Sequence, residues 1–273
     1  MKKPTMSRKP TKKSDVADSS SVATYSAPAL EKGLDILELL CRSNTSMTLT
    51  EMADRLGRSV SEIYRMLACL VGRNYVVSLG ESYGITTKLF ALAHSNPPTN
   101  RLLSEAGPIM QDLSSRLEQA CHLTVYSDGA QIVIAKVDNP SGLGFSVRVG
   151  AELDVLVSAS GRVLLAFQDP AIAQQRIKES VRRRPDQVNA QIEQVLRKVR
   201  SRGYESIVSV QVKGLHAVSY PILDTQGSAI AALTVPYAER LDLTKRKTIA
   251  EVETALKKAA SDLSERIGGP VSR

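Results

Sequence analysis

Two helix-start signals, one on each side of a two-residue turn, constrain this chain more than any other feature. Thr48-x-x-Glu51 and Ser59-x-x-Glu62 both have the capping-box form. In a capping box, a Ser or Thr and a Glu three residues on satisfy each other's orphan amides. Leu49, Met52, Ala53 and Leu56 give the first helix a buried stripe, and Gly57 ends it as a left-handed residue does. The second helix turns Ile63, Met66, Leu67, Leu70 and Val71 inward and leaves Ser61, Glu62, Arg65 and Ala68 outside. Upstream, Leu30, Leu34, Leu37 and Cys41 recur at helical spacing and predict an earlier helix that buries them. Downstream, Tyr75–Ser78 and Tyr83–Ile85 flank a Gly-containing turn and predict a hairpin. Two short helices joined by a tight turn, the second followed by a hairpin, make a winged helix-turn-helix.

The outer face of the second helix is small and polar at its start. That shape enters a major groove, and a helix N-terminus favours phosphate. The geometry sends Ser59, Ser61, Tyr64 and Arg65 toward the groove, Arg58 and Thr50 to flanking phosphates, and Ser82 to the wing. Glu62 has two roles open to it: accepting from a cytosine amino group, or serving its own capping box. Charge does not decide the matter. The net charge is +8, yet residues 27–95 carry seven basic and seven acidic side chains. Two uses of the module stay open. One is a DNA-binding regulator, and the other is a small-molecule-binding or enzymatic α/β protein whose winged helix makes protein contacts.

Residues 1–26 hold six Lys/Arg, two Asp and no apolar periodicity, so they are expected to form a disordered basic arm. The arm is either a solubilising tail or a phosphate-contacting one. Residues 27–86 are assigned to the winged domain. A helical linker follows over 87–120, broken at Asn96-Pro97-Pro98 and restarted at Pro108. In residues 121–273, strands are predicted at His122–Tyr126, Gln131–Val137, Gly144–Val149, Glu205–Val210, Leu215–Leu223 and Ser228–Val235. Helices are predicted at Arg162–Phe167, Ala171–Val181, Pro185–Arg202 and Thr244–Ile267. Strand pairs interleaved with helices indicate an antiparallel sensor sheet and an α+β fold overall.

Several chemistries find no support. Ser158-Ala159-Ser160-Gly161 lacks the first glycine of a nucleophile elbow. Gly142-Leu143-Gly144 lacks the third glycine of a dinucleotide loop. Cys121 and His122 are adjacent on a strand and point to opposite faces. His94, His122 and His216 have no metal-ligand spacing. No enzyme activity, cofactor or metal is expected. No apolar run has membrane-spanning length and no secretory signal opens the chain, so a cytoplasmic protein is expected. Cys41, Cys69 and Cys121 are sparse, and a packing role is expected for them.

Several blocks together resemble one known family in order: Leu30–Leu37, Leu49–Ala53, Leu56-Gly57, Ile63–Leu67, Gly150-Ala151, Ser158–Ala166, Gly214–Pro221, Asp224, Gly227 and Ala231–Val235. Over residues 27–267 the chain resembles the isocitrate-lyase-regulator (IclR) type of transcription factor. The resemblance implies a GAF-like effector domain, homodimers that pair through the helix-turn-helix part, and often dimers of dimers. It also implies effectors that are small organic or aromatic acids. The family's pocket maps here onto Ala159, Ser160, Gly161, Leu215, Ala217, Thr234 and Pro236. Residue chemistry adds the Ser158 hydroxyl, and Tyr220 as a further apolar wall. Arg148 is either an inward counter-ion or a solvent-facing side chain. Two-fold symmetry in turn implies a near-palindromic duplex operator. The chain departs from the family pattern at Val60 and Glu62, at Ser209-Val210-Gln211 where acidic residues are common, and at Pro236 where Ser is common.

Overall fold

The computed structural model describes residues 26–187, 191–239 and 247–270. The basic arm expected at the N-terminus therefore lies outside the described residues, apart from Ser26. The chain divides into two compact units that meet between Leu92 and Ala93.

The first unit opens with helix α1 (Pro28–Arg42). Strand β1 (Met47–Thr48) leads into α2 (Leu49–Leu56), and α3 (Val60–Gly72) follows. Strands β2 (Val76–Leu79) and β3 (Ser82–Ile85) form the wing. Both helix starts behave as their sequences require. Thr48 N–H donates to Glu51 Oε2 at 2.7 Å, and Glu51 N–H donates back to Thr48 Oγ1 at 3.3 Å. Gly57 takes φ 62°, which ends α2 and turns the chain into α3. Strand β1 pairs with β3, giving a three-stranded antiparallel sheet in the order β1-β3-β2. Two residues are too few to show alternation, so β1 left no periodic signal.

The core of this unit is Ile36, Leu40, Met47, Met52, Ala53, Ile63, Leu67 and Val76. This corrects the expected face of α1. Ile36 and Leu40 are buried, whereas Leu30 and Leu34 are 63% and 47% exposed and Cys41 is exposed. The two stripes are displaced by one residue, about 100° around the helix, so periodicity fits either. Cys69 is also exposed, so neither it nor Cys41 has the expected packing role.

Helix α4 (Lys88–Ser95) spans the border between the units, and α5 (Pro97–Leu117) begins the second. Strands β4 (Cys121–Ser127), β5 (Ala130–Val137) and β6 (Glu152–Leu153) precede helices α6 (Ala159–Ala166) and α7 (Pro170–Arg183). Then come a 3-10 turn at Pro185–Gln187, α8 (Ile192–Arg202), β7 (Glu205–Val208), β8 (Leu215–Leu223), β9 (Ala229–Ala238) and α9 (Ile249–Arg266). The six strands form one antiparallel sheet in the order β6-β5-β4-β9-β8-β7. One face carries α5 and α9 over an aliphatic core that includes Leu113, Leu233, Val235, Leu256 and Leu263. The other carries α6 and α8 over Val163, Leu164, Leu196 and Ala232.

Three expectations change here. The stretch Gly144–Val149 is irregular, and the short strand β6 lies just beyond it. Gly142, Gly144 and Gly150 all adopt positive φ, which interrupts extended pairing. Pro185–Arg202 is not one helix, because the chain leaves the helical path at Pro185 and α8 starts only at Ile192. Pro108 lies inside α5 without restarting it, since buried Leu102, Ala106, Met110 and Leu113 pin the helix on both sides. That stripe makes α5 part of the core of the second unit.

Helix α6 lies hard against the segment before it. A Cβ on Gly161 would stand 2.2 Å from the Val155 carbonyl oxygen and 2.4 Å from its Cα. Only backbone is there to yield. Gly161→Ala should therefore destabilise the second unit by about 1–3 kcal/mol or more. Thermal unfolding checks this, and an unchanged midpoint would contradict the packing described.

Candidate nucleic-acid interface and ligand cavity

The start of α3 sorts the residues proposed for DNA contact into two groups. Ser59 N–H and Oγ–H both donate to Glu62 Oε2, at 3.0 and 2.9 Å, while Lys32 Nζ donates to Glu62 Oε1 at 3.1 Å. The Ser59 backbone bond, followed by Lys32, pulls the Glu62 carboxyl down from 4.5 to about 2. Oε2 thus serves the helix start, while Oε1, held by Lys32 on an exposed side chain, keeps room for one further donor. Arg58 is half-buried and gives Nη2 to Asp35 Oδ2 at 2.8 Å. A flanking phosphate would have to displace that pair. Ser82 Oγ sits 3.0 Å from Ser46 Oγ and 3.1 Å from the Leu79 carbonyl, tying the wing to β1.

The second group faces outward. Thr50, Ser61, Tyr64 and Arg65 are exposed, Tyr64 by 56%. Arg65 makes no ion pair among the described residues. Ser61 Oγ is 3.2 Å from Ser59 Oγ, which leaves it one weak internal contact. Val60 is 42% exposed beside them.

In the second unit, eight segments converge on a cavity of ≈ 80 Å³. They are the start of α6 with the residues just before it, strands β4, β6, β7, β8 and β9, residues 145–147, and the loop after β7. Ser158, Ala159, Ser160, Leu215, Ala217, Thr234 and Pro236 all line it. Gly161 does not, because its N–H is bound to Ser158 Oγ at 3.0 Å and its α-carbon meets Val155. The Ser158 hydroxyl is also committed. It donates to the Asp154 carbonyl at 2.6 Å and accepts from Gln131 Nε2 at 2.6 Å. Thr234 Oγ1 and Ser219 Oγ are 2.8 Å apart. Arg148 is exposed and outside the lining, and Tyr220 turns to the opposite sheet face, where it stacks on Tyr204 at 4.7 Å. His216 also faces away, with Nε2 2.9 Å from Ser206 Oγ. Two wider depressions, of ≈ 360 and ≈ 330 Å³, open beside Tyr204 and between α7 and α8. Both are surface hollows without the enclosing segments of the smaller cavity.

Sequence reasoning missed Phe145 and Val147, which stand in a stretch taken for a strand, and His122. His122 is 5% exposed, and its Nδ1 is buried without a hydrogen-bond partner. Burial pulls its imidazole down to about 4, so the ring is neutral. Its register opposite Thr234 was the missing signal, and that register requires the strand order.

A winged helix-turn-helix in one chain with an α/β domain defines a DNA-binding transcription regulator carrying an effector domain. The family model for the bacterial transcriptional regulator IclR C-terminal domain matches residues 99–265, and the IclR helix-turn-helix model matches residues 29–80. This chain belongs to the IclR family. The HTH-type transcriptional regulator KdgR of Escherichia coli (strain K12) is 29% identical, over 79% of this chain and 85% of the relative. The transcriptional repressor IclR of the same organism is 24% identical, over 90% and 92%. Among solved structures, an IclR homolog from Microbacterium hydrocarbonoxydans complexed with 4-hydroxybenzoate shares the fold. Its TM-score is 0.72 at 20% identity, over 88% of this chain and 98% of that one. No described helix is long and apolar enough to cross a membrane.

The folded-state pKa of Glu62 lies below its usual value, so its contribution to stability is complete above about 4.5 and is lost as pH falls toward 2. Glu62→Gln should lower the Tm at neutral pH, and the gap from wild type should close across that window. A gap that persists unchanged at the acid end would show that the carboxylate is not what holds the start of α3.

Proposed function

We propose that the chain acts as a homodimer on a near-palindromic operator, and that a small carboxylic acid in the cavity modulates this binding. One observation carries the DNA placement. Internal bonds engage Glu62 and Arg58 at the start of α3 and Ser82 on the wing, while Thr50, Ser61, Tyr64 and Arg65 face outward. The outward set reads the groove and grips phosphate, Ser59 closes the helix start beside it, and exposed Val60 meets thymine methyl groups. Two-fold pairing sets the two α3 helices about one helical turn, ~34 Å, apart. The exposed Leu30 and Leu34 of α1 supply apolar surface for a second copy.

The acid reading is supported by the start of α6, where backbone amides and the dipole favour a carboxylate. It is also supported by the Ser160 and Thr234 hydroxyls, by the apolar walls, and by the 4-hydroxybenzoate bound to the Microbacterium hydrocarbonoxydans homolog.

Footprinting should show two half-sites related by a dyad. Arg65→Ala should weaken operator binding by about 1–3 kcal/mol, roughly 5- to 150-fold. A single asymmetric half-site, or unchanged affinity and base preference in the variant, would overturn the DNA placement. Calorimetric titration with pyruvate, benzoate and 4-hydroxybenzoate tests the cavity. At least one acid should bind wild type, and Ser160→Leu, which fills the start of α6, should abolish that binding. Equal binding to both proteins would move the site elsewhere.

A further inference from the structure

A row of polar residues crosses the sheet beneath α6. Register pairs Glu205 with Ser219, Ser219 with Thr234, Thr234 with His122, and His122 with Lys136. The row therefore runs over five consecutive strands. Glu205, Ser219, Thr234 and His122 are all at least nine-tenths buried. Buried polar groups of this kind are held by partners, because an unpaired one costs about 1–3 kcal/mol. Glu205 meets Arg162 at 3.3 Å and Arg202 at 3.7 Å. Ser219 and Thr234 hold each other, and Lys136 meets Asp138 at 2.9 Å. Among the described residues of this row, His122 is the member with a buried unpaired atom, its Nδ1.

His122 also lines the cavity, and among the described residues the lining contains no Lys, Arg, Asp or Glu. Strand β5 presents Lys136, already paired with Asp138, and β9 presents Thr234. Helix α6 presents Ser160, while its Arg162 turns to Glu205. Residues 145–147 and 207–212 add only uncharged side chains to the lining. A carboxylate entering this space finds hydroxyls and amides but no fixed cation. Leaving it charged and unpaired there is expensive. Adding one proton removes the difficulty, since a neutral imidazole and a carboxylate that share a proton form a net-neutral, hydrogen-bonded pair.

We propose that His122 is the residue that receives the acid, and that the cavity takes up a small monocarboxylic acid together with one proton from solvent. The proton is shared between the imidazole and the carboxyl group. This rests on the cavity reading above and adds to it the recognising group and the proton count. The low value to which burial holds the free imidazole means that the proton is absent before the acid binds. Because the bound pair holds one proton more than the separate partners, affinity falls as pH rises. It falls tenfold per pH unit between the pKa values of the free partners and that of the bound pair, and levels off above the latter.

The test uses whichever of pyruvate, benzoate and 4-hydroxybenzoate binds the intact chain. Titrations in phosphate and in Tris at the same pH, about 6.5, differ in buffer ionisation heat and so count protons. Wild type should take up close to one proton per acid bound. His122→Gln, which keeps a hydrogen-bonding side chain, should bind about tenfold or more weakly with no uptake. The chain has three histidines, so the His122 ring resonance can also be followed by NMR in wild type. That resonance should shift when the acid is added, which tests the assignment even where the variant fails to fold. Binding that Ser160→Leu abolishes but that occurs without proton uptake would overturn this inference alone and leave the cavity reading standing. A His122 resonance unmoved by the bound acid would do the same. Failure of all three acids to bind would overturn both.

Discussion

Strands β8 and β9 pair from Leu215 opposite Ala238 to Leu223 opposite Ala229, and helices cover them on both faces. Double burial sets the terms for the rest of the second unit. With period-two alternation, neighbouring residues go to different layers. Val218, Tyr220, Ile222, Leu233 and Val235 fill the layer beneath α5 and α9. Leu215, Ala217, Ser219, Ala232, Thr234 and Pro236 go to the other. That second set is mostly small, and small side chains opposite Ala159 and Ser160 leave space unfilled. The cavity is thus a consequence of side-chain volume on one sheet face. Gly161 completes it, because only a residue without Cβ lets α6 seat against Val155 while its first turn reaches the cavity.

The first unit solves a different problem with fewer residues. Its core is small, so local bonds at the helix starts carry much of the order. The Glu62 carboxylate satisfies the Ser59 amide and hydroxyl and also reaches Lys32 on α1. The start of α3 is thereby fixed to another helix. What remains outward is mostly polar, with exposed Val60 beside it, and a preorganised helix start loses less side-chain freedom when it meets a partner. The wing tip, Leu79-Gly80-Glu81, offers no cation.

Features that depend on near neighbours were readable from the chain. Both capping boxes, the left-handed Gly57, the wing and the Leu215–Leu223 strand rest on spacings of a few residues, and the structure shows each. Features that depend on a distant partner were not. The buried face of α1 is chosen by what α3 presents, and Leu30 and Ile36 look alike until that partner is known. The polar row across the sheet joins residues as far apart in the chain as His122 and Thr234. No window along the chain contains it, and His122 therefore read as one residue of a core strand. Gly144–Val149 failed for a third reason. Its alternation is real, with Phe145 and Val147 turned inward, but positive-φ glycines around it prevent strand pairing.

A ligand biases a protein only as far as it binds one arrangement better than another. The cavity meets that condition because its polar groups come from separate elements: Ser160 from α6, Thr234 from β9 and His122 from β4. A molecule held by one of them would be indifferent to how the elements lie. A molecule held by all three binds best at one placement of α6 over the sheet. The residues on either side of Thr234, Leu233 and Val235, point the other way into the core shared with Leu102, Ala106, Met110, Leu113 and Leu117 of α5. Close packing transmits small displacements, since interiors have few voids to absorb them. A ligand that draws β9 toward α6 therefore acts on α5 through the reverse face of the same strand. Helix α5 follows α4, the helix at which the DNA-binding unit ends, so the strand that forms the cavity floor also seats the helix nearest that unit in the chain.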